Sequence, residues 1–204
     1  PSPHPRPVAP APGEVPEEAG PIWVRFAVPW ALVEKSAGQY SWAPVDEIVT
    51  GFAAAGFGVI LYPQGGHPLY DVAVAPPLPP EDAWAAFLRA MAARYAREVD
   101  HYLLGVEGSS SVASADPRVR AFAFKSSSIA VRAKDAGAHV GLVGPRLDGD
   151  SPATALEALC AEGIAPYFDA LSLADAVTPD KPQDGSAIAA VRAVLMTCDP
   201  GARL

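Results

Sequence analysis

An α/β fold with a parallel sheet is predicted by three features of the sequence. Five short apolar runs recur along the chain, each is followed by an apolar stripe at helical spacing, and the runs lack the polar alternation of a half-exposed strand. The runs are Ile22–Val28, Phe57–Tyr62, Asp100–Val106, Ala138–Val143 and Phe168–Leu173. Strict strand–helix alternation implies parallel neighbours joined by right-handed crossovers. Two architectures satisfy it: an open doubly wound sheet, or a stretch of an eight-fold barrel. In both, chemistry belongs at the carboxyl ends of the strands.

The helices follow in order. Val45, Ile48, Val49, Phe52 and Ala53 keep helical spacing until Gly56. Trp84, Phe87, Leu88, Met91, Ala92 and Tyr95 make the strongest stripe. Asp116-Pro117 and Ser151-Pro152 each supply a capping side chain followed by proline at the first helical position. Gly137 and Gly163 are the matching stops, and Ile188, Val191 and Leu195 mark the last helix.

Composition narrows the function. The 204 residues carry a formal charge of −8, which disfavours a nucleic-acid partner, since that would need a basic stripe. Half the residues are apolar and 19% are charged, enough for a packed core. No apolar run reaches the ~18–20 residues of a membrane span. The two cysteines, Cys160 and Cys198, exclude a disulfide scaffold and a four-cysteine zinc site. They read as buried thiols, with a bridge between the last two helices as the alternative. Residues 1–16 hold seven prolines and almost no large apolar side chain, so they read as a linker or tail. Pro1 in place of Met points to a processed product or a fragment. The tail then follows a removed leader or an anchor, or is an ordinary terminus.

Motifs exclude several chemistries. No glycine-rich phosphate loop follows a strand, no G-x-S-x-G elbow exists, and His4, His67, His101 and His139 show no paired metal spacing. No cofactor or metal is implied. His67 lies on the loop after the second run, on the side where chemistry is expected. Glu107 directly follows the third run, with Glu34, Asp71, Asp148, Asp150 and Asp175 as further acids on that side.

The stretch from Glu17 through Trp23, Val24, Arg25, Trp30, Val33, Glu34, Gly38, Tyr40 and Trp42 resembles the large clan of retaining glycosidases built on (β/α)8 barrels. Segments 79–108 and 152–173 are similar to later units of the same clan. The resemblance implies a barrel-like domain over residues 17–204, with about five units matching strands two to six. It places Glu107 at the general acid/base position and Arg25 at the arginine that supports the nucleophile. Trp30, Tyr62, His67 and Asp175 become candidate sugar contacts. The sequence departs from the pattern in two places: Asn-Glu-Pro is replaced by Val106-Glu107-Gly108, and the pair after the sixth strand by Ala174-Asp175-Ala176. The strand carrying the nucleophile is not represented before Leu204.

The expectation is therefore a glycosidase-like domain that is not a competent catalyst as given. It would serve as a carbohydrate-binding or structural subunit of an exported assembly (periplasmic, cell-surface or secreted). The alternative is a retaining glycosidase using Glu107 and a nucleophile outside the chain. Open sheet edges imply other protein chains as partners.

Overall fold

The computed structural model describes residues 22–70, 81–105, 116–144, 152–172 and 185–198. Strands β1 (Trp23–Pro29), β4 (Gly58–Gln64), β5 (His101–Leu104), β6 (His139–Val143) and β7 (Ala170–Ser172) form one sheet in the order β1-β4-β5-β6-β7. Every pairing is parallel, with Arg25 opposite Ile60, Ile60 opposite His101, His101 opposite His139, and Gly141 opposite Ala170. Spatial order equals chain order, as in a barrel and unlike a doubly wound sheet, whose order reverses at a switch point. The barrel is partial: among the described residues β1 and β7 pair on one side only.

Each strand begins one or two residues after the first residue of its apolar run. Ile22 precedes β1, yet its carbonyl already accepts from the Gly58 amide at 2.9 Å. The sequence reading missed a short turn of helix, α1 (Trp30–Val33), and a small antiparallel pair, β2 (Glu34–Ser36) with β3 (Gln39–Tyr40). Gly38 closes that pair at φ 73°, a left-handed conformation that glycine adopts without strain.

The main helices are α2 (Ala43–Ala54), α3 (Glu81–Tyr95), α4 (Pro117–Arg132), α5 (Pro152–Ala161) and α6 (Gly185–Cys198). Asp116 caps α4 by accepting from the Arg118 amide at 2.9 Å. Gly56 and Gly163 follow α2 and α5 with positive φ, the backbone state of a helix stop. Gly137 lies in the turn beyond α4 and donates its amide to Asp135 Oδ1.

Alternate strand residues Val28, Val59, Leu61, Tyr102, Leu104, Val140, Leu142 and Leu171 face the helices and are buried in the main core. Phe87, Leu88, Met91 and Ala92 of α3 are fully buried against them, which accounts for the strength of that stripe. The inner face, turned away from the helices, carries Arg25, Ile60, Tyr62, Leu103 and Val143. Tyr62, Leu103 and Val143 form a second buried cluster there. Trp23 lies flat across Gly58, where an added Cβ would stand 2.4 Å from its ring, and it meets His101 at 4.3 Å.

Cys160 and Cys198 are bridged, which corrects the reading of buried thiols. Parallel neighbouring helices end side by side. The two cysteines fall at the ends of α5 and α6, with Cα atoms 5.6 Å apart, within disulfide reach.

Two predictions follow from the packing. Cys160→Ser with Cys198→Ser should lower unfolding free energy by about 3–4 kcal/mol in the chain-entropy account, read from urea denaturation. A bridge worth nothing would leave the midpoint in place. Asp46 of α2 accepts from Arg94 Nε at 2.7 Å, Arg94 Nη2 at 2.5 Å and Tyr95 Oη at 2.8 Å. The Arg94 hydrogen bond is the main reason that its carboxyl titrates below the ordinary range. A depressed folded-state pKa stabilises above the unfolded value and is lost as pH falls through the folded one. Asp46→Asn should therefore destabilise at neutral pH and flatten the decline in melting temperature below about pH 4.

Candidate functional site

The carboxyl end of the sheet is built from the loops that follow β1 and β4. Pro29 ends β1, and α1 then turns Trp30 and Glu34 back over the strand ends, four residues apart on one side of the turn. Glu34 is 1% exposed. A carboxylate at that depth needs its hydrogen bonds supplied by the protein. Trp30 Nε1 donates to Oε2. The Gly38 amide donates to Oε1 at 2.5 Å, and Tyr70 Oη donates to the same oxygen at 2.7 Å. The Glu34 carbonyl lies 2.6 Å from His67 Nε2, while His67 Nδ1 accepts from the Leu69 amide at 3.1 Å. Since Nδ1 accepts, the proton sits on Nε2 and is donated to Glu34. One residue thus ties the loop after β1 to the loop after β4.

Rings fill the space around this knot. Tyr70 stacks on Trp30 at 4.9 Å and 14°, and Phe87 stacks on it at 5.8 Å and 25°. His67 and Trp84 meet Trp30 at 4.9 and 5.4 Å, tilted by about 60°. The Tyr70 hydroxyl, donating to a carboxylate that its ionised form would repel, has its pKa pushed up to about 12.

The candidate residues from the sequence separate into three groups. Trp30 and His67 come together in the knot, but at 0% and 5% exposure neither presents a ring face to solvent. Arg25 is exposed on the inner face, with its guanidinium carbon 5.5 Å from the centre of the Tyr62 ring. Tyr62 itself is buried with Leu103 and Val143. Glu107 and Asp175 lie outside the described residues, as do Asp71, Asp148 and Asp150. Sequence reasoning counted Glu34 among the acids of this end without giving it a partner, and it passed over Tyr70. The available signal was Trp30 and Gly38 standing four residues either side of Glu34.

No three His, Cys, Asp or Glu side chains gather at a metal-holding site among the described residues. No helix among them is long and apolar enough to cross a membrane. A groove of about 450 Å³ between α5 and α6, lined by Glu157, Thr197 and the disulfide, lies on the helical side, apart from the knot.

No family model and no curated protein matches the chain. Solved structures do. A glucosidase from Croceicoccus marinus is similar at a TM-score of 0.62 and 14% identity, over 87% of this chain and 43% of that one. A thermostable mutant of a xylanase from Cellvibrio japonicus gives 0.58 and 17%, over 90% and 67%. A family 39 glycoside hydrolase from Bacteroides cellulosilyticus gives 0.58 and 16%, over 74% and 32%. At these identities the likeness is one of fold: a partial (β/α)8 barrel. The chain spans about a third to two thirds of the length of these structures.

The knot makes a direct prediction. Glu34→Ala strands the buried Trp30 N–H and the half-buried Tyr70 hydroxyl and should cost about 2–4 kcal/mol in urea unfolding. Glu34→Gln keeps an acceptor and should cost less; equal losses would mean that the carboxylate is filling space only.

Proposed function

We propose that this chain is a glycoside-hydrolase-like domain that does not cleave glycosides by itself. It serves as a carbohydrate-binding or structural subunit of an exported assembly. The observation that carries this reading is the fate of the aromatic side chains at the carboxyl end. Trp30, Tyr62 and His67 are absorbed into packing, where a working sugar cleft would present ring faces. The sequence agrees: Val106 beside Glu107 offers no hydrogen bond to a sugar hydroxyl where the clan has asparagine.

Carbohydrate contact then falls to Arg25, exposed on the inner face, and to Glu107 and Asp175. The Cys160–Cys198 bridge suits an oxidising compartment, which supports export. The one-sided pairing of β1 and β7 among the described residues favours partner chains along the sheet edges.

Retaining hydrolysis needs a second carboxyl group about 5–5.5 Å from the acid/base. Purified protein incubated with aryl glycosides, xylan and cellulose should show no turnover above the buffer blank, and Glu107→Gln should keep its fold. Turnover that disappears in Glu107→Gln would replace this reading with a retaining glycosidase whose acid/base is Glu107.

A further inference from the structure

His101 and His139 show no paired spacing in the sequence, yet the sheet sets them side by side. They open β5 and β6 and are direct register partners on those parallel strands, with both side chains on the inner face. Their rings lie 4.9 Å apart, centre to centre, at 27°. His101 is half-buried and His139 is exposed, so both imidazoles are reached from solvent. They stand at the amino end of the strands, the opposite end from the Glu34 knot. We propose that His101 and His139 form a two-histidine site for a divalent transition-metal ion, Cu(II) above the others, with Asp100 as its positioning residue.

Three observations support the assignment. Asp100 Oδ1 lies 2.6 Å from His101 Nδ1. A carboxylate accepts, so Nδ1 carries the proton and Nε2 keeps its lone pair for an ion. Metal-bound histidines commonly have such an outer carboxylate, which fixes the tautomer and the ring orientation. Trp23 lies across Gly58 and meets His101 from the β1 side at 4.3 Å, so the neighbour with which His101 can share an ion is His139. Metal–nitrogen bonds of about 2.0–2.1 Å set two ring nitrogens on one ion roughly 3 Å apart. The stacked rings reach that spacing by tilting edge to edge, and the exposure of His139 gives it room to turn. Two imidazole nitrogens side by side, with water at the remaining positions, suit the tetragonal N,O coordination of Cu(II), which also heads the affinity order of the divalent first-row ions. Such a site needs no third side chain, in keeping with the lack of a three-residue cluster among the described residues.

The test uses the untagged full chain, stripped of metal with a chelator, with copper(II) chloride and zinc chloride as probes at neutral pH. Calorimetry reads affinity. Tryptophan fluorescence, with the Trp23→Phe variant subtracted, reads whether the ion sits beside Trp23. Cu(II) should bind more tightly than Zn(II) and quench the Trp23 component. His101→Gln and His139→Gln should each weaken Cu(II) binding by about a hundredfold, against about tenfold for the outer residue in Asp100→Ala. Asp100→Asn keeps an acceptor for Nδ1 and should recover part of that tenfold. Cu(II) affinity unchanged in His139→Gln would overturn the site, and so would binding that is lost in His4→Gln instead, which would place the ion on the amino-terminal tail. Zn(II) binding more tightly than Cu(II) would overturn the choice of ion, and Asp100→Ala binding like wild type would overturn the positioning role. Should His101→Gln fail to fold, His139→Gln decides alone, because it changes an exposed position.

Discussion

The buried carboxylate of Glu34 is the constraint on which the carboxyl end of this sheet depends. A carboxyl group at that depth is tolerated only when the surrounding chain supplies hydrogen-bond partners. Trp30 Nε1, the Gly38 amide and Tyr70 Oη come from positions that are otherwise unrelated. Satisfying them fixes the α1 turn, the small β2–β3 pair with its left-handed Gly38, and the descent of the chain after β4. Packing then follows the hydrogen bonds. With the Trp30 N–H aimed at the carboxylate, the indole plane is set, and Tyr70, Phe87, Trp84 and His67 arrange themselves around it.

The sheet beneath obeys a simpler rule. Residues that alternate along each strand divide between a helix-facing core and an inner face. The helix-facing set is uniformly apolar apart from the Tyr102 hydroxyl, which lies 3.4 Å from the Val99 carbonyl and from Asp135. The inner set is mixed: Trp23, His101 and His139 form a ring row at the amino end, while Tyr62, Leu103 and Val143 lie buried further along. Glycines let this face close up. A Cβ at Gly105 would stand 2.4 Å from Val143 Cβ, so β5 and β6 approach at their carboxyl ends only because that position is bare.

The strands and helices were legible because their signals are local. Apolar runs, the α3 stripe and the Asp116-Pro117 start each draw on a few consecutive residues. Strand starts were less legible, since a ladder begins where a partner exists, and Phe57 and Phe168 have the composition of strands without a place in one. The knot was half legible. Trp30, Glu34 and Gly38 keep helix-like spacing, but Tyr70 is 36 positions from Glu34, and no local pattern reports that contact. The disulfide was a near-even choice from sequence, because it depends on α5 and α6 ending at the same level. Exposure was least legible of all. A tryptophan at the end of a strand reads equally well as a sugar platform or as core, and the neighbours that decide it come from β4's loop and from α3.

That last ambiguity bears on what the domain can do. An aromatic ring that binds sugar must keep one face available, and each face given to packing adds stability and removes a subsite. Trp30 has both faces taken, and Tyr62 lies beneath the Arg25 guanidinium. The hydrogen bond that holds Trp30 runs to Glu34, so the covered state is anchored by a buried, hydrogen-bonded carboxyl group as well as by ring stacking. Removing one partner of such a network leaves the rest desolvated and unpaired, which resists piecemeal opening. The carboxyl end is therefore built for persistence. Held in this way, the loops after β1 and β4 keep one arrangement over the strand ends. On the inner face, Arg25 keeps its guanidinium exposed over the Tyr62 ring, and His139 is exposed at the amino end of β6.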